Sequence, residues 1–360
     1  LVSDVRKVSH AKSVACRHQG RRPACVLPSN YMEPIDFFAI GDIVTEPFIR
    51  LTEAHVEKGV EGGQELCMAF GEKIPYESAT VVAAVGNASN AAVSAARLGL
   101  SSALRSYTGD DRYGAEMFEV LESEKVSTEF MVKEQGKNSN YHYVLWYGNE
   151  RTILVKHEDF TYTVPELSVS PKWVYLSSLA ANSKPYHDAI VEWLSKHPES
   201  KLAFQPGTFQ MKLGKELTGL YQRSDFFICN KEEAARILDI ALTEDVKMLM
   251  TKLAELGPKL VVVTDGTNGA YAYDGTRFLR VPMYPDTRGP FERTGAGDAF
   301  ASTVVAALAL GKPLDEALLW GPINSMSVVQ EVGAQKGLLS REALEQFLRE
   351  APDSYTISEF

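Results

Sequence analysis

Short apolar runs alternate with helical, half-polar segments through the second half of this chain. The runs that predict strands are 174–176, 202–204, 226–229 and 260–264. The segments that predict the helices between them are 186–196, 232–238 and 245–256. Strands that alternate with helices indicate an α/β fold with a doubly wound, mostly parallel sheet. Right-handed crossovers then bring the loops that follow the strands to one edge of that sheet.

The first half of the chain has a less regular pattern. Residues 37–42 are an apolar run that ends in glycine and aspartate, which predicts a buried strand. Residues 46–79 carry short strand and turn signals without a helical period. Residues 81–98 are rich in alanine and are followed by Gly99, which predicts a helix. Further predicted elements are a strand at 102–106, a helix at 113–123 and a strand at 130–132.

An aromatic hairpin is predicted at residues 141–156, where two apolar segments flank a turn at 148–150. The side chains on one face of its first strand are Tyr141, Tyr143, Leu145 and Tyr147, and those on the other face are Val144 and Trp146. Apolar groups on both faces indicate that both faces are covered. Either one face closes over a ligand and the other meets a partner chain, or this is an ordinary two-sided core strand.

Composition narrows the classes of function. Charged residues make up 23% and hydrophobic residues 45% of the 360 residues, as in an ordinary globular protein. The formal net charge of -10 disfavours a nucleic-acid partner, because no basic surplus is available to neutralise phosphates. No apolar run approaches the ~20 residues of a membrane-spanning helix. The four cysteines lack metal-ligand spacing and predict a reducing, cytoplasmic compartment.

Residues 1–31 differ from the rest of the chain. They carry six lysine or arginine residues against one acidic residue, Asp4. A targeting segment or a nucleic-acid-binding arm would fit this composition. The interpretation we favour is an upstream extension before a natural start at Met32. It predicts that residues 1–31 are poorly ordered and functionally silent.

The segment from Gly295 to Asp298 carries the strongest chemical signal. Gly295, Ala296 and Gly297 precede Asp298, and the apolar segment 299–310 predicts a helix that starts there. A helix start has unpaired N–H groups and a positive dipole end, which favour a bound anion. A carboxylate beside such an anion site is suited to accept the proton of a hydroxyl that attacks a phosphoryl group. A glycine turn with Asp298 as a helix-start residue is the structural alternative.

Three other motifs follow or connect predicted strands, and each has a structural explanation as well. Asn230 and Glu233 have the spacing of a capping box. Thr264, Gly266 and Gly269 are also consistent with a hairpin turn. The segment 86–90 opens the alanine-rich helix. Asp42, Asn230, Thr264 and the Gly295 loop should all converge at the same sheet edge.

The order and spacing of these motifs resemble the ribokinase, or phosphofructokinase-B, family of carbohydrate and nucleoside kinases. The resemblance covers roughly residues 35–348. It implies a ribokinase-like kinase domain at 32–350 and a C-terminal tail at 351–360. It also implies a small β-sheet lid over the sugar, formed by about 46–79 and 139–158.

The resemblance also implies roles for individual residues. Asp298 would be the catalytic base. The implied anion hole is formed by the backbone of Gly295, Ala296 and Gly297. The residues that would organise Mg²⁺, mostly through water, are Asn230 and Glu233. The implied ATP site includes Thr264, Gly266, Gly269 and Asn324. The residues that would approach the sugar are Gly86, Asn87 and Asn90.

Several positions depart from the family pattern. The family's sugar-binding aspartate falls at Glu46, with Asp42 as the nearby alternative. The usual Gly-Gly before the alanine-rich helix is Val85-Gly86. Where the family has an aspartate that takes part in monovalent-cation binding, this chain has Glu292. This difference leaves potassium activation open. Substrate identity is therefore the least determined part of the resemblance.

The resemblance predicts an ATP- and Mg²⁺-dependent kinase that phosphorylates a primary hydroxyl of a sugar. A nucleoside kinase of the adenosine kinase type is the alternative, in which Tyr143 or Trp146 would stack on a base. A non-catalytic binding regulator is disfavoured because Asp298 and its glycines are present. A dinucleotide-dependent dehydrogenase is disfavoured because no Gly-x-Gly-x-x-Gly follows the first strand. The two apolar faces of the hairpin also predict a homodimer through the lid.

Overall fold

Strands and helices alternate along the structure, a computed structural model that describes residues 34–59, 63–286 and 288–360. The strands are β1 (Phe37–Ile40), β2 (Val44–Leu51), β3 (His55–Lys58), β4 (Gln64–Cys67), β5 (Tyr76–Val85), β6 (Ser102–Arg105), β7 (Tyr107–Gly109), β8 (Val126–Ser127), β9 (Val132–Glu134), β10 (Tyr143–Tyr147), β11 (Glu150–Leu154), β12 (Trp173–Leu176), β13 (Lys201–Phe204), β14 (Phe226–Asn230), β15 (Val261–Thr264), β16 (Ala270–Tyr273), β17 (Phe278–Val281) and β18 (Ser358–Glu359). The helices are α1 (Asn87–Arg97), α2 (Arg112–Ser123), α3 (Lys184–Lys196), α4 (Thr208–Leu213), α5 (Thr218–Arg223), α6 (Lys231–Leu238), α7 (Val246–Glu255), α8 (Ala296–Ala309), α9 (Leu314–Val328) and α10 (Arg341–Glu350). The expectation for residues 1–31 lies outside the described residues.

The main sheet confirms the predicted doubly wound architecture. Its strands pair in the order β18-β17-β16-β15-β14-β13-β12-β1-β6-β8. The strands from β15 to β8 run parallel, and β16, β17 and β18 extend one edge antiparallel. The strands β1 and β12 are buried along their whole length, as expected of strands covered by helices on both faces. The C-terminal residues 358–359, expected in a tail, form the edge strand β18.

Helix α8 is the central helix of one covering layer. It is rich in alanine, most of its side chains are buried, and it packs against α9 and α1. Small side chains allow the helices to approach closely, and at Gly321 of α9 an added Cβ would lie 3.0 Å from the ring of Phe300. This packing fixes the direction of α8, whose N-terminus lies at the sheet edge.

Within the described residues, no helix combines the length and the apolar character that a membrane crossing needs.

A separate small sheet pairs in the order β11-β10-β2-β5, and among the described residues the nearby β3–β4 hairpin pairs with no other strand. The predicted aromatic hairpin corresponds to β10 and β11, which pair antiparallel. Val144 and Trp146 are buried on one face, whereas Tyr143 on the other face is 47% exposed. The small sheet therefore has one covered face and one open face within the described residues.

Some element predictions were wrong at their boundaries. Residues 81–85 were predicted as the start of a helix, but they complete β5, and α1 begins only at Asn87. Val81 and Val82 pair with β2, and this tertiary pairing outweighs the high helix propensity of the two alanines that follow. The strand predicted at 130–132 lies at 132–134. The elements α4, α5, β16 and β17 were not predicted.

Candidate active site

Asp298 lies in the first turn of α8, where three side-chain amides converge on its carboxylate. Asn87 Nδ2 donates to Oδ1 at 2.7 Å, and Asn90 Nδ2 donates to Oδ2 at 2.8 Å. Gln205 Nε2, from the loop after β13, donates to Oδ1 at 3.0 Å. Both carboxylate oxygens are thus bound by neutral donors.

Two of these amides are oriented by further hydrogen bonds. Gln335 Nε2 donates to Asn90 Oδ1 at 3.0 Å, so that the Asn90 amino group faces Asp298. The hydroxyl of the buried Tyr175 donates to Gln205 Oε1, which turns the Gln205 amino group the same way. An amide that accepts at its oxygen and donates at its nitrogen has one preferred orientation. The carboxylate therefore lies in a preorganised set of donors.

Opposing effects act on the protonation of Asp298. Burial raises the pKa of its carboxyl, while the hydrogen bonds from Asn90, Asn87 and Gln205 lower it, and the negative charge of Glu46 raises it. The net shift is upward. A carboxylate with a raised pKa is a stronger base than a solvated one, which suits proton transfer near neutral pH.

The connection from β5 to α1 depends on an unusual backbone. Gly86 has φ of +114°, and a Cβ at this position would lie 2.6 Å from the carbonyl oxygen of Asp42. Ala84 has φ of +58°, which is rare for a residue with a side chain. Its carbonyl accepts hydrogen bonds from Ser89 and Gln335. This tight turn places the first residues of α1 directly beside β1 and Asp298.

The start of α8 retains the features of an anion site. Gly295 has φ of +82°, and a Cβ there would lie 2.3 Å from that of Ala334. In the part of the chain that the structure describes, no side chain caps this helix start. The space beside Gly297 is open, because apart from its own helix turn no heavy atom of the described residues lies within 4 Å of an added Cβ. Apart from the N–H of Ala296, which donates to the carbonyl oxygen of Arg293 at 3.4 Å, the first-turn N–H groups are therefore available to a bound anion.

Asn230 and Glu233 form the predicted capping box at the start of α6. Asn230 Oδ1 accepts from the Glu233 N–H at 2.7 Å, and Glu233 Oε2 accepts from the Asn230 N–H at 2.9 Å. Burial raises the pKa of Glu233, and the nearby charge of Asp298 acts in the same direction. The structural explanation of this motif is thus correct, and the same carboxylate also lies near Asp298.

The four residues predicted to bind the nucleotide differ from one another in their surroundings. Thr264 ends β15 and pairs in register with Asn230 on β14. Gly266 lies in the 3₁₀ turn Gly266–Asn268 that joins β15 to the antiparallel β16, so the hairpin interpretation also holds. Gly269 has φ of +90°. Asn324 is fully buried, and its amide bonds Thr303 Oγ1 and the N–H of Leu339, so it packs α9 rather than facing a ligand.

Near Asp298 lies a cluster of buried polar side chains, which we call the polar pocket, that contains two carboxylates, those of Asp42 and Glu46. Asp42 follows β1 and is 5% exposed, and its carboxylate bonds His157 Nδ1 at 2.9 Å and the Tyr162 hydroxyl at 2.9 Å. Glu46 lies 3.6 Å from His142 Nδ1. The rings of His142 and His157 contact each other at 5.1 Å between centroids. The pocket offers both donors and acceptors for hydroxyl groups.

Sequence reasoning missed several of these residues. It assigned no role to Gln205 and did not identify the residues that bond or approach Asp42 and Glu46, which are His142, His157 and Tyr162. His157 and Tyr162 come from a segment without regular secondary structure, so no periodic pattern marks them. Gln205 follows an apolar strand, and that position was the available signal.

Comparisons with known proteins match this chain to carbohydrate kinases. The family model described as pfkB family carbohydrate kinase matches residues 51–341. Ribokinase of Bacillus subtilis (strain 168) is 25% identical over 268 residues, which cover 73% of this chain and 87% of that protein. The 5-dehydro-2-deoxygluconokinase of the same organism is 24% identical over 287 residues, covering 73% of this chain and 86% of that protein.

The fold of this chain is also similar to that of a solved structure. The structure of Arabidopsis thaliana ribokinase complexed with ribose and ATP matches with a TM-score of 0.71 and 18% identity. The match covers 88% of this chain and 99% of that chain. The predicted ribokinase-like fold is therefore confirmed.

Proposed function

Because this chain belongs to the pfkB family of carbohydrate kinases, we propose that it transfers the γ-phosphoryl group of ATP to a primary hydroxyl of a sugar. The family establishes a phosphotransferase with an alcohol group as acceptor. The observation that supports the specific reaction is the position of Asp298. This residue lies at the uncapped start of α8, near both the polar pocket and the capping box of α6.

In the proposed reaction, Asp298 is the general base. It takes the proton of the acceptor hydroxyl as the oxygen forms a bond to the γ-phosphorus and the bond from that phosphorus to the ADP oxygen breaks. The backbone N–H groups from Gly295 to Gly297 would stabilise the charge on the transferring group. ATP would extend from there towards Thr264, Gly266 and Gly269.

The residues near the phosphates also suit Mg²⁺. Glu233 and Asn230 offer oxygen ligands, and Mg²⁺ prefers oxygen and keeps several waters, so they would hold the ion mainly through water. Bound Mg²⁺ supplies charge neutralisation at the β- and γ-phosphates. Glu233 is anchored by the N–H of Asn230, which keeps its carboxylate at a fixed place beside Asp298.

Glu292 offers a place for a monovalent cation. One of its oxygens accepts from the N–H and the hydroxyl of Thr294, whereas Oε2 is buried without a partner among the described residues. A buried anionic oxygen is costly unless a charge or a donor satisfies it. We therefore include K⁺ in the proposed function, although aspartate is usual at this position in the family.

The polar pocket favours a neutral, polyhydroxylated acceptor. Asp42 and Glu46 are both buried beside it, and each already lies within reach of a histidine. Carboxylates accept hydrogen bonds from sugar hydroxyls but repel an acceptor that carries its own carboxylate. On this basis a free sugar is preferred over a sugar acid.

The nucleoside alternative has less support in the small sheet. Trp146 is buried, its ring packs edge-on against Phe291, and the guanidinium of Arg50 lies 4.7 Å from its ring centroid. Tyr143 lies on the open face of the small sheet. Neither ring therefore presents a free face to a base in the pocket, which supports a sugar over a nucleoside.

The small sheet is proposed as a lid and as the contact surface of a homodimer. Strand β2 continues from the pocket residue Glu46 into this sheet, so the sheet borders the acceptor site. Its open face carries Tyr143, Leu154 and Val81, which a second copy of the chain would cover.

The cytoplasmic location expected from the cysteines stays a prediction.

The test is ATP consumption by the purified chain with ribose, fructose, adenosine, guanosine, cytidine and sugar phosphates, with and without K⁺. We expect turnover with a free sugar and Mg²⁺.

Asp298→Asn should reduce kcat by about 100-fold or more, because a general base contributes at least this factor. Calorimetry should show ATP binding unchanged. Near-normal turnover of a folded Asp298→Asn protein would contradict the base assignment, and turnover with nucleosides alone would contradict the sugar assignment.

A further inference from the structure

The β3–β4 hairpin carries a cluster of metal-binding side chains that is separate from the active site. His55 pairs in register with Cys67, and Glu57 pairs with Glu65. Alternate residues of a strand share a face, and directly paired residues of neighbouring strands share it too. These four side chains therefore project from the same face of the hairpin.

Three of the four already lie close together. His55 Nε2 is 3.0 Å from Glu57 Oε1, and the ligand atoms of His55, Glu57 and Cys67 all lie within 4.8 Å of one another. Around a tetrahedral zinc ion with these ligand types, neighbouring ligand atoms are about 3.3–3.8 Å apart. Small side-chain rotations would therefore bring the three groups to bonding distance of one ion.

From this geometry we propose that His55, Glu57 and Cys67 form a zinc site with a water or a further ligand in the fourth position. A thiolate and an imidazole select Zn²⁺ over Mg²⁺, which prefers oxygen ligands only. Glu65 on the same face adds a negative charge that favours a bound cation. Binding requires that the Cys67 thiol release its proton to solvent.

The ion would join the two strands of the hairpin. Cys67 is a free cysteine, and the hairpin pairs with no other strand among the described residues. A two-stranded hairpin alone is marginally stable, so a metal bond from β3 to β4 would stabilise it directly. The site does not depend on the proposed kinase reaction, since none of its ligands contacts Asp298 or the polar pocket.

The experiment is a titration of the reduced, full-length chain with Co²⁺, the spectroscopic substitute for Zn²⁺, in the presence of Mg²⁺. We expect one equivalent to produce the near-ultraviolet charge-transfer band of a thiolate bound to cobalt, and Zn²⁺ to abolish it. Cys67→Ser should remove the band, and His55→Ala should weaken binding at least about 10-fold, since even outer-shell partners contribute this much.

The matched control is the double variant Cys16→Ser/Cys25→Ser, which keeps Cys67 and should keep the band. Circular dichroism would verify that each variant is folded, which is expected because His55 is exposed and Cys67 is only partly buried. Either of two results would overturn the proposal. One is a band that persists in Cys67→Ser, and the other is stoichiometric Co²⁺ that gives no thiolate band with the folded, reduced chain.

Discussion

At the scale of single residues, Asp298 is held by neutral amides rather than by a cation. A lysine or arginine partner would stabilise the negative charge strongly and make the carboxylate a poor base. The amides of Asn87, Asn90 and Gln205 fix its position with hydrogen bonds but leave its charge uncancelled. If Asp298 is the base, as we propose, this combination keeps its carboxylate both ordered and reactive.

Removal of one amide should change the pH dependence of the reaction. In Gln205→Leu, the ionised form of Asp298 loses a donor, so its pKa should rise. The acid limb of the profile of kcat/KM against pH should therefore move up by about one unit, given the net strength of a hydrogen bond to a charged group. The same pH series would be measured for the unmodified enzyme.

Tyr175→Phe is the matched control for this variant. It removes only the hydroxyl that orients Gln205, so the acid limb should move in the same direction by a smaller amount. An unchanged acid limb in a folded Gln205→Leu enzyme would show that this amide does not act on the base.

At the scale of elements, the small sheet has an apolar face that the rest of the described chain does not cover. Tyr143 and Leu154 are directly paired across β10 and β11, and they are 47% and 52% exposed. Val81 on β5 pairs with Pro47 and lies on the same open face. An open sheet with apolar side chains on its outer face favours association with another chain.

Charges on this face should therefore prevent the proposed homodimer from forming. We expect the unmodified chain to have the mass of a dimer by light scattering at micromolar concentration. Tyr143→Arg combined with Leu154→Arg should give a monomer, because arginines facing each other across the contact repel and lose water. Leu242→Arg, at a residue that is 55% exposed outside the small sheet, should leave the dimer intact. A monomeric mass for the unmodified chain would refute the interface.

At the scale of the whole molecule, one buried histidine links stability to pH. His187 is 1% exposed, and burial, together with the nearby Lys184, lowers its pKa to about 4, while Asp188 opposes the shift. The folded chain keeps this imidazole neutral at a pH where the unfolded chain protonates it. Its contribution to stability is therefore complete above about pH 6.5 and is lost as the pH falls towards 4.

This loss can be measured by urea denaturation. Full loss corresponds to about 3 kcal/mol of the free energy of unfolding, at 1.36 kcal/mol for each unit of pKa. His187→Gln should lose less stability between pH 7 and pH 5 than the unmodified chain, because glutamine does not titrate. Equal losses for the two chains would show that His187 does not dominate the acid response.

The sequence predicted what is local and periodic in this molecule. The alternation of strands and helices revealed the doubly wound sheet, and contiguous motifs marked Asp298 and the capping box of α6. The partners of Asp42 could not be found in this way, because His157 and Tyr162 are 115 and 120 residues away in sequence and lie in an irregular segment. The end of β5 was misassigned because pairing with β2 decides its conformation.

Strand β5 has a mechanical consequence for the site. Its ten residues begin in the small sheet and end at Val85, two positions before Asn87. A paired strand is stiff along its length, so β5 would transmit a movement of the small sheet, which we propose as a lid, to Asn87, which bonds the proposed base Asp298. We expect an acceptor that displaces the small sheet to shift Asn87 as well. Substrate binding would then also move Asn87 away from one carboxylate oxygen of Asp298, and this oxygen could accept the proton of the substrate hydroxyl.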